Sequence, residues 1–447
     1  MAVITPFRAV RYNPAKINDL AEVVSPPYDV IDANSQAALA GRNPYNMINL
    51  DLSKNVKSTE MTDQRYAKAA RLFAEWQAAG VLIREEKPAI YLYNVDYRVP
   101  GGTSFTRRGL VSLVRLAEFS EGIVKPHEKT FSGVTGDRLR LLDACQAQLS
   151  PIFSLYSDPA GEILARLESA RPATPLYEVS DHDGCVHRFW AVTDPETLAA
   201  VQAMFSDKAL YIADGHHRYT TALQYRALMR ERSGGEIAAD SPANQTMMYL
   251  CGMEDPGLSI LPTHRLVRLP GRTSAAELTG LLAENFLVEE IKNGSRENLI
   301  GEVLGRMADG AAQATMFGFY HPGEDRCFLF TLRDGVMDRL AAHQSAALRE
   351  LDVVVLAELI LARLPALDRA RCVQGDLIDY YSDPDDALDV AVKEAETGGP
   401  HTALLFLMNP TRVEQVRRVA DEGLVMPHKS TFFYPKLLTG LALNALA

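Results

Sequence analysis

The most informative segment of the chain is Ala213-Asp214-Gly215-His216-His217-Arg218-Tyr219-Thr220. The short apolar run before it, residues 209–212, predicts a buried strand, and residues 221–230 after it predict a helix. A strand that breaks at a glycine and continues as a helix directs unpaired N–H groups and the positive helix end to one point. Two imidazoles and a guanidinium lie at that point. The sequence therefore predicts a phosphate-binding corner in a mixed α/β fold.

Each residue of this corner has a candidate role. Gly215 lets the backbone approach a ligand closely or adopt a positive φ, and Arg218 can hold a phosphate through two parallel hydrogen bonds. His216 and His217 point about 100° apart at a helix start, which suits two ligands of one metal poorly. Asp214 could orient a histidine, hold Mg²⁺ or accept a proton. The alternative is a structural helix start, with Asp214 as its cap and the histidines satisfied by nearby carbonyls.

A second candidate is the segment 25–31, Ser-Pro-Pro-Tyr-Asp-Val-Ile. Its consecutive prolines hold the backbone extended and present Tyr28 and Asp29 rigidly. Rigid loops often carry the residues that determine specificity. A plain turn, in which Asp29 is a cap and Tyr28 packs, explains the pattern equally well.

A third candidate begins with Lys125-Pro126-His127-Glu128-Lys129-Thr130 and continues through Ser132, Gly133, Asp137 and Arg138. Its lysines, histidine, hydroxyls and arginine all suit a phosphate, and Glu128 adds a candidate base or metal ligand. A solvated loop before a helix is the alternative.

A fourth candidate, residues 426–436, contains His428 and Lys429. Its lysines, Lys429 and Lys436, could reach an anion, while its aromatic residues dock the tail. Residues 126–131 and 427–432 share the pattern Pro-His-x-x-Thr-Phe. Either the echo arose by chance, or both segments present a histidine, a lysine and a hydroxyl to one anionic ligand.

Composition excludes several classes of protein. The 447 residues carry a net charge of −11, with 47% hydrophobic and 23% charged residues. The acidic balance argues against nucleic acid as the main partner, because phosphate backbones require a concentrated basic face. Five scattered cysteines without a C-x-x-C pair are typical of a reducing cytosol. No secretion signal is apparent, and the most apolar stretch, 351–367, contains charged residues, so we expect a cytoplasmic protein without a membrane span.

Periodicity predicts the remaining elements. Helices are expected at 62–80, 137–148, 195–205, 274–285 and 346–362. Residues 89–116 predict a hairpin, and further strands are expected at 151–156, 188–192, 246–251, 315–320 and 327–332. Residues 373–423 predict a βαβα segment, which favours parallel pairing. We place a core domain at 1–270 and a C-terminal α/β region at 271–447, whose tail returns to the site.

These segments resemble the domain-of-unknown-function 1015 family. The matching stretches run in order through nearly the whole chain: 25–31, 127–142, 149–156, 214–223, 261–265, 351–356, 409–413 and 426–440. The corner is also similar to the phosphate-binding turn of the ParB/sulfiredoxin-like fold, on which free-serine kinases are built. Sulfiredoxin carries a cysteine in this turn where this chain has His216, so cysteine redox chemistry is not implied.

The resemblance and the residues together predict a small-metabolite phosphotransferase, in particular a kinase of free L-serine. The donor would be a nucleotide or pyrophosphate with Mg²⁺, and the small-molecule partner serine or phosphoserine. The expected catalytic residues are Asp214, His216, His217, Glu128 and Asp29. The expected phosphate- and nucleotide-binding residues are Gly215, His216, His217, Arg218, Lys125, His127, Lys129, Thr130, His428 and Lys429.

Two alternatives belong to other classes. One is a metal-dependent hydrolase that uses His127, Asp214, His216 and His428. The other is a non-catalytic nucleotide-binding regulator of the ParB type, although the acidic charge and the lack of a basic helix disfavour its DNA-binding form.

Overall fold

The computed structural model describes residues 1–52, 62–99, 102–292, 294–364 and 377–446. They form two compact units: Met1–Ser259 together with Pro435–Ala447, and Ile260–Tyr434. The first unit is therefore discontinuous in sequence. The division falls upstream of the boundary expected after residue 270, because Pro270 ends a strand that lies inside the sheet of the second unit.

The first unit is built from short strands and helices that alternate irregularly along the chain. Up to Ser259 the strands are β1 Ile4–Thr5, β2 Val10–Tyr12, β3 Leu82–Arg84, β4 Ile90–Arg98, β5 Ser104–Arg115, β6 Val124–Lys125, β7 Ala147–Gln148, β8 Ile152–Tyr156, β9 Tyr177–Ser180, β10 Val186–Val192, β11 Leu210–Asp214 and β12 Gln245–Gly252. The helices are α1 Ala33–Arg42, α2 Ile48–Asp51, α3 Thr62–Ala78, α4 Ser132–Cys145, α5 Glu162–Ala170, α6 Pro195–Met204 and α7 His216–Ser233. Short 3₁₀ turns lie at Leu20–Glu22, Tyr28–Val30, Phe119–Glu121 and Pro242–Asn244.

The main sheet of the first unit has the strand order β6-β11-β8-β12-β5-β4-β10-β9, and β1 pairs with β5. The expected hairpin is confirmed, since β4 and β5 pair antiparallel. The sheet is mixed, because β11 is parallel to β6 and antiparallel to β8, while β8 and β12 are parallel. The mixed α/β class expected from the sequence is confirmed.

Helix α7 is fixed to this sheet by its buried face. Tyr219 and Ala222 pack in the same hydrophobic cluster as Ile152 of β8 and Ile212 of β11. The hydroxyl of Tyr219 donates to the carbonyl of Ala117 at 2.7 Å. The start of α7 is thereby held against the end of β11, which is the position of the predicted corner.

The elements after Ser259 belong mostly to the second unit. The strands are β13 Ser259–Leu261, β14 His264–Pro270, β15 Phe286–Ile291, β16 Met316–His321, β17 Arg326–Leu332, β18 Ile378–Tyr381, β19 His401–Leu407, β20 Phe432–Tyr434 and β21 Asn444–Ala445, the last of which lies in the first unit and pairs with β7. The helices are α8 Ala275–Leu282, α9 Arg296–Gly310, α10 Val336–Leu340, α11 Ala346–Arg349, α12 Asp352–Val355, α13 Pro384–Thr397 and α14 Val413–Asp421.

The second unit contains a sheet with the order β15-β17-β16-β19-β14-β18. The strands of the expected βαβ unit, β18 and β19, run parallel but are not neighbours, because β14 lies between them and pairs antiparallel with both. The βαβα arrangement, which favoured parallel pairing in at least part of a sheet, thus gives two parallel strands in one sheet that do not pair directly. Residues 373–376 of the expected strand lie outside the described residues.

Two helix predictions differ from the structure. The helix expected at 346–362 is broken, because Leu351 is extended between α11 and α12, and a π-helical turn at Leu356–Ile360 and a 3₁₀ turn at Leu361–Arg363 follow. Helix α4 ends at Cys145, since Gln146 adopts a left-handed backbone (φ 48°) and residues 147–148 form β7. In the part of the chain that the structure describes, no helix has the length and apolar composition needed to cross a bilayer.

Candidate functional site

The corner has the predicted geometry. Strand β11 ends at Asp214, and α7 begins at His216. Gly215 between them has φ 91°, a left-handed conformation that side chains disfavour. A Cβ at this position would also lie 2.8 Å from Nε of Arg218. Both the backbone and the close approach of Arg218 therefore require glycine at this position.

Asp214 forms the anionic centre of the corner. Its Oδ2 lies 3.1 Å from Nζ of Lys436 and 3.9 Å from Nη2 of Arg218, and 17% of the side chain is exposed. Burial raises the pKa of Asp214, but the charges of Lys436 and Arg218 outweigh burial and hold the pKa below its usual range. Asp214 is thus ionised at neutral pH and is a weak base, since its lone pairs already face two cations.

The guanidinium of Arg218 is held at the beginning of β8. Its Nη1 donates to the carbonyl of Pro151 and to Oγ of Ser150, the latter at 3.3 Å. Its Nε is buried and has no hydrogen-bond partner among the described residues. Nη1 therefore positions the side chain, and the edge formed by Nε and Nη2 makes no hydrogen bond to the described residues and is left for a ligand.

His216 is buried and contacts the loop 125–131. Its Nε2 accepts a hydrogen bond from the backbone N–H of His127 at 3.2 Å, and its Nδ1 lies 3.7 Å from Oε2 of Glu128. The rings of His127 and His216 are perpendicular, with centroids 4.5 Å apart. Because Nε2 accepts, the neutral ring carries its proton on Nδ1, which faces the Glu128 carboxylate.

Both of these histidines are held in the neutral form. Burial lowers the pKa of His127 to about 4, against the opposing effects of a hydrogen bond with the backbone of Ile212 and the charge of Asp214. Burial and the neighbouring His127 lower the pKa of His216 well below its usual value. At neutral pH the pair therefore contributes hydrogen-bonding atoms but no positive charge.

His217 ties the other end of the same loop to α7. Its Nε2 accepts from the backbone N–H of Phe131 at 3.0 Å, and the two rings stack with centroids 5.8 Å apart. His216 and His217 therefore bond loop amides, whereas a purely structural helix start predicted carbonyl partners. Their contacts position the loop against the start of α7.

The other predicted residues of this loop differ in exposure. Nζ of Lys125 lies 5.3 Å from the ring centroid of Tyr211, the register partner of Lys125 on β11. Lys129 is exposed and Thr130 is half-buried. Asp29 is exposed and lies in the Tyr28–Val30 turn.

A small cavity of about 60 Å³ that opens to solvent adjoins the corner. Arg218, Tyr28, Arg138 and Asp51 line it together with apolar side chains of α4 and β8. Arg138 pairs with Oδ1 of Asp51 at 2.8 Å and lies over the ring of Tyr28, 4.3 Å from its centroid. The cavity thus brings the segment 25–31 and the corner to one place.

His428 and Lys429 belong to the second unit. His428 is exposed, and its ring centroid lies 6.3 Å from that of Tyr380. Lys429 has φ 55°, and its carbonyl accepts from Oγ1 of Thr263 at 3.0 Å and from Nη2 of Arg265 at 3.3 Å. Their participation in the same site as Asp214 stays a prediction.

The hydrolase alternative requires a metal centre. Within the described ranges, no group of three or more His, Cys, Asp or Glu side chains is arranged to hold a metal ion. His127 and His216 also face each other and the protein backbone. The residues named for that alternative therefore do not form a ligand set in this part of the chain.

Sequence reasoning gave too little weight to three side chains at this site. Lys436 pairs with Asp214 across 222 residues, and Asp51 pairs with Arg138 across 87. No local motif encodes such pairs. Local composition is the sequence feature that points to these side chains, since Lys436 and Arg138 each lie in a segment rich in phosphate-compatible residues.

Several solved structures resemble the chain at low identity. One is a free serine kinase mutant in complex with ADP (12% identity, 73% of this chain and 91% of that chain, TM-score 0.33). Another is a conserved hypothetical protein from Pyrococcus furiosus (14% identity, 74% of this chain and 94% of that chain covered, TM-score 0.31). A third is SbnI with a C-terminal truncation from Staphylococcus aureus (10% identity, 75% of this chain and 87% of that chain covered, TM-score 0.34). No curated protein matches the sequence.

Fold and corner define a mixed α/β protein with a strand–glycine–helix turn at its candidate site. A family profile described as "Protein of unknown function (DUF1015)" matches residues 4–354. The chain belongs to the DUF1015 family, as the sequence motifs predicted.

Proposed function

We propose that the first unit is a phosphotransferase that acts on a small hydroxylated metabolite, with L-serine as the first acceptor to test. The observation that carries the proposal is the corner itself. The guanidinium of Arg218 and the ammonium of Lys436 lie beside the ionised Asp214, and α7 begins two residues after Asp214 with the unpaired N–H groups of its first turn. This combination of donors and cations suits a transferring phosphoryl group.

The electrostatics of the corner support the same chemistry. Phosphoryl transfer is catalysed mainly by positioning and by stabilising negative charge on the transferring group. Arg218 and Lys436 supply fixed positive charge, and Asp214 holds both cations in place before a ligand arrives. The neutral His127 and His216 keep the loop 125–131 in position without adding charge.

Glu128 is the carboxylate that we assign as general base for the acceptor hydroxyl. Its side chain is 24% exposed and faces Nδ1 of the neutral His216, whereas Oδ2 of Asp214 faces two cations. Cations lower the pKa of a neighbouring acid, so Asp214 is a weak base. Glu128 would accept the hydroxyl proton as the new O–P bond forms, while the P–O bond of the donor breaks and the shortened nucleotide, or phosphate from pyrophosphate, leaves with the bonding electrons.

The proposed donor is a nucleotide or pyrophosphate, and the cavity beside Arg218 offers it apolar walls and the Arg138–Asp51 pair. Mg²⁺ usually binds one or two carboxylates together with the substrate phosphates. Asp29 fits this requirement, because it is exposed and its charge acts on Tyr28 and Asp51 of the cavity. When bound there, Mg²⁺ would neutralise charge on the donor phosphates.

The test is phosphoryl transfer to L-serine from ATP, ADP or pyrophosphate, followed by ³¹P NMR. Thermal shift supplies the binding arm, since a ligand at one hundred times its Kd stabilises a protein by about 2.7 kcal/mol. Arg218→Lys should weaken binding of phosphate ligands about ten- to a hundredfold, because an ammonium cannot replace a planar fork. Arg226→Lys is the matched control, since Arg226 lies on the same helix but bonds the carbonyl of Leu116 and the carboxylate of Glu118.

The outcomes separate the candidate functions. A lower melting temperature with unchanged phosphate affinity in Arg218→Lys would contradict the proposal. Nucleotide binding without turnover of any acceptor would favour the nucleotide-binding regulator. Tightly held zinc or iron in protein purified without added metal would favour the hydrolase.

A further inference from the structure

Arg107 of β5 is the most unusual charged residue of the first unit. Its side chain is fully buried, with 0% exposure, yet it has no carboxylate within salt-bridge distance among the described residues. Its Nη1 donates to the carbonyl of Pro435 at 2.7 Å. Its Nε and Nη2 have no hydrogen-bond partner in the described part of the chain. A buried charge is seldom left without a counter-charge.

The aromatic rings around Arg107 stabilise its positive charge, but they do not accept hydrogen bonds from Nε and Nη2. Its guanidinium carbon lies 4.8 Å from the ring centroid of Phe153 and 5.4 Å from that of Tyr249. Aromatic faces attract a cation, but they do not replace an in-plane oxygen acceptor. Nε–H and Nη2–H form one edge of the guanidinium and point in parallel. That edge matches the two oxygens of a carboxylate.

The free edge lies on the same face of the sheet as the corner. Phe153 is the register partner of both Tyr249 and Asp214, so these three side chains share a face. The short segment Pro435–Lys436 joins the two places, since its carbonyl accepts from Arg107 and its ammonium pairs with Asp214. Arg107 is therefore positioned to hold one end of a small molecule whose other end meets the corner.

We propose that Arg107 binds the carboxylate of the acceptor through Nε and Nη2, so that the substrates are small hydroxy or amino acids carrying both a carboxylate and a hydroxyl. The carboxylate lies at Arg107 and the hydroxyl is directed to the start of α7. The assignment of the hydroxyl end rests on the proposed function. The carboxylate contact stands on the geometry of Arg107 alone.

The test compares pairs of compounds that differ only in the carboxylate: L-serine with ethanolamine, and O-phospho-L-serine with O-phosphoethanolamine. Affinity for each is measured by calorimetry on the full chain. The wild type should prefer the carboxylate compound of each pair by about ten- to a hundredfold, the range for one charge-assisted bidentate contact. In Arg107→Met this preference should disappear, and Arg107→Lys should retain part of it.

Controls separate recognition from stability. Arg226→Lys alters another buried arginine, and it should leave the preference for carboxylates unchanged even where the melting temperature falls. If Arg107→Met does not fold, as judged by circular dichroism, Arg107→Lys decides the question because it keeps the buried charge and removes the fork.

The outcomes distinguish this inference from the proposed function. Equal affinity for both members of each pair in the wild type, or an unchanged preference in the Arg107 variants, would overturn the role of Arg107 even if phosphoryl transfer is observed. A preference that depends on Arg107, without phosphoryl transfer from any donor, would support Arg107 and contradict the phosphotransferase.

Discussion

The segments Pro126–Phe131 and Pro427–Phe432 share the pattern Pro-His-x-x-Thr-Phe but have different surroundings. In the first unit, His127 is fully buried against the ring of His216. In the second unit, His428 is exposed. The same six-residue pattern therefore places its histidine inside one unit and on the surface of the other.

The difference comes from the elements that hold each segment. The first segment donates backbone N–H groups to ring nitrogens of His216 and His217. The second segment accepts hydrogen bonds from Thr263 and Arg265 at the carbonyl of Lys429, and a carbonyl does not titrate. A short pattern thus does not determine a residue's role, because the role depends on side chains from distant parts of the chain.

The largest difference between the two segments is expected at acidic pH, where the first segment should lose stability. The pKa of His127 is about 4 in the folded protein and near 6.5 when unfolded, so the unfolded chain binds the proton first as the pH falls. The contribution of the neutral His127 to the free energy of unfolding is fully present above pH 6.5 and is lost as the pH falls from 6.5 to about 4. At about 1.4 kcal/mol per pKa unit, this loss is on the order of 3 kcal/mol. The protection factor of the residue 127 amide, which compares its exchange rate with the intrinsic rate at the same pH, should fall over this range.

The second segment supplies the internal control for this experiment. The protection factors of amides around residues 427–431 should fall less in the same range, because the Lys429 carbonyl that accepts from Thr263 and Arg265 does not titrate. An equal fall in both segments would show that acid unfolds the chain generally, and would contradict the expected difference between the two segments. A His127→Phe variant should also lose much of the pH dependence.

A somewhat smaller difference is expected when the two histidines are truncated. His127→Ala should lower the free energy of unfolding by about 2 kcal/mol, because it leaves a cavity beside His216. His428→Ala should change it by less than about 0.5 kcal/mol, as is usual for an exposed side chain. Chemical denaturation of both variants measures the difference. Similar changes in the free energy of unfolding for the two variants would mean that the burial of His127 does not determine the cost of truncation.

The smallest change in stability is expected from a substitution at the strained backbone position of the second segment. Lys429 has φ 55°, a conformation that costs a non-glycine residue roughly 1–2 kcal/mol. Lys429→Gly removes this strain but adds entropy to the unfolded chain, so the melting temperature should rise, with a gain in stability of less than about 1 kcal/mol. Gly215→Ala at the corner should have the opposite sign. A destabilised Lys429→Gly variant would show that the lysine side chain holds the segment.

Local signals in the sequence predicted the elements that depend on neighbouring residues. The strand before Asp214, the positive φ of Gly215 and the helix after it follow from residues within one short window. Asp383 caps the start of α13 immediately before Pro384, which is a signal of the same local kind. In contrast, the pairing of Asp214 with Lys436 and the burial of Arg107 depend on contacts between residues hundreds of positions apart. Hydrophobic periodicity carries no information about such pairs.

The wrong predictions have the same origin. Residues 346–362 have helical periodicity, yet the backbone breaks at Leu351, and the half-buried side chain of Asp352 interacts with Thr315, Asn409 and Arg412. Burial raises the pKa of Asp352 to about 6, which shows how strongly this site differs from an exposed helix. Tertiary contacts thus overrode a local pattern, and the position of β14 between β18 and β19 likewise depends on contacts that a local βαβα pattern does not encode.

The return of Pro435 to the first unit also has a consequence for biosynthesis. Asp214 leaves the ribosome 222 residues before Lys436. At a translation rate of about 5–20 residues per second, the nascent corner spends on the order of 10 to 45 seconds without that lysine. During this interval the inserted second unit is synthesised in full. The anionic centre of the corner is therefore assembled only after the second unit has been translated.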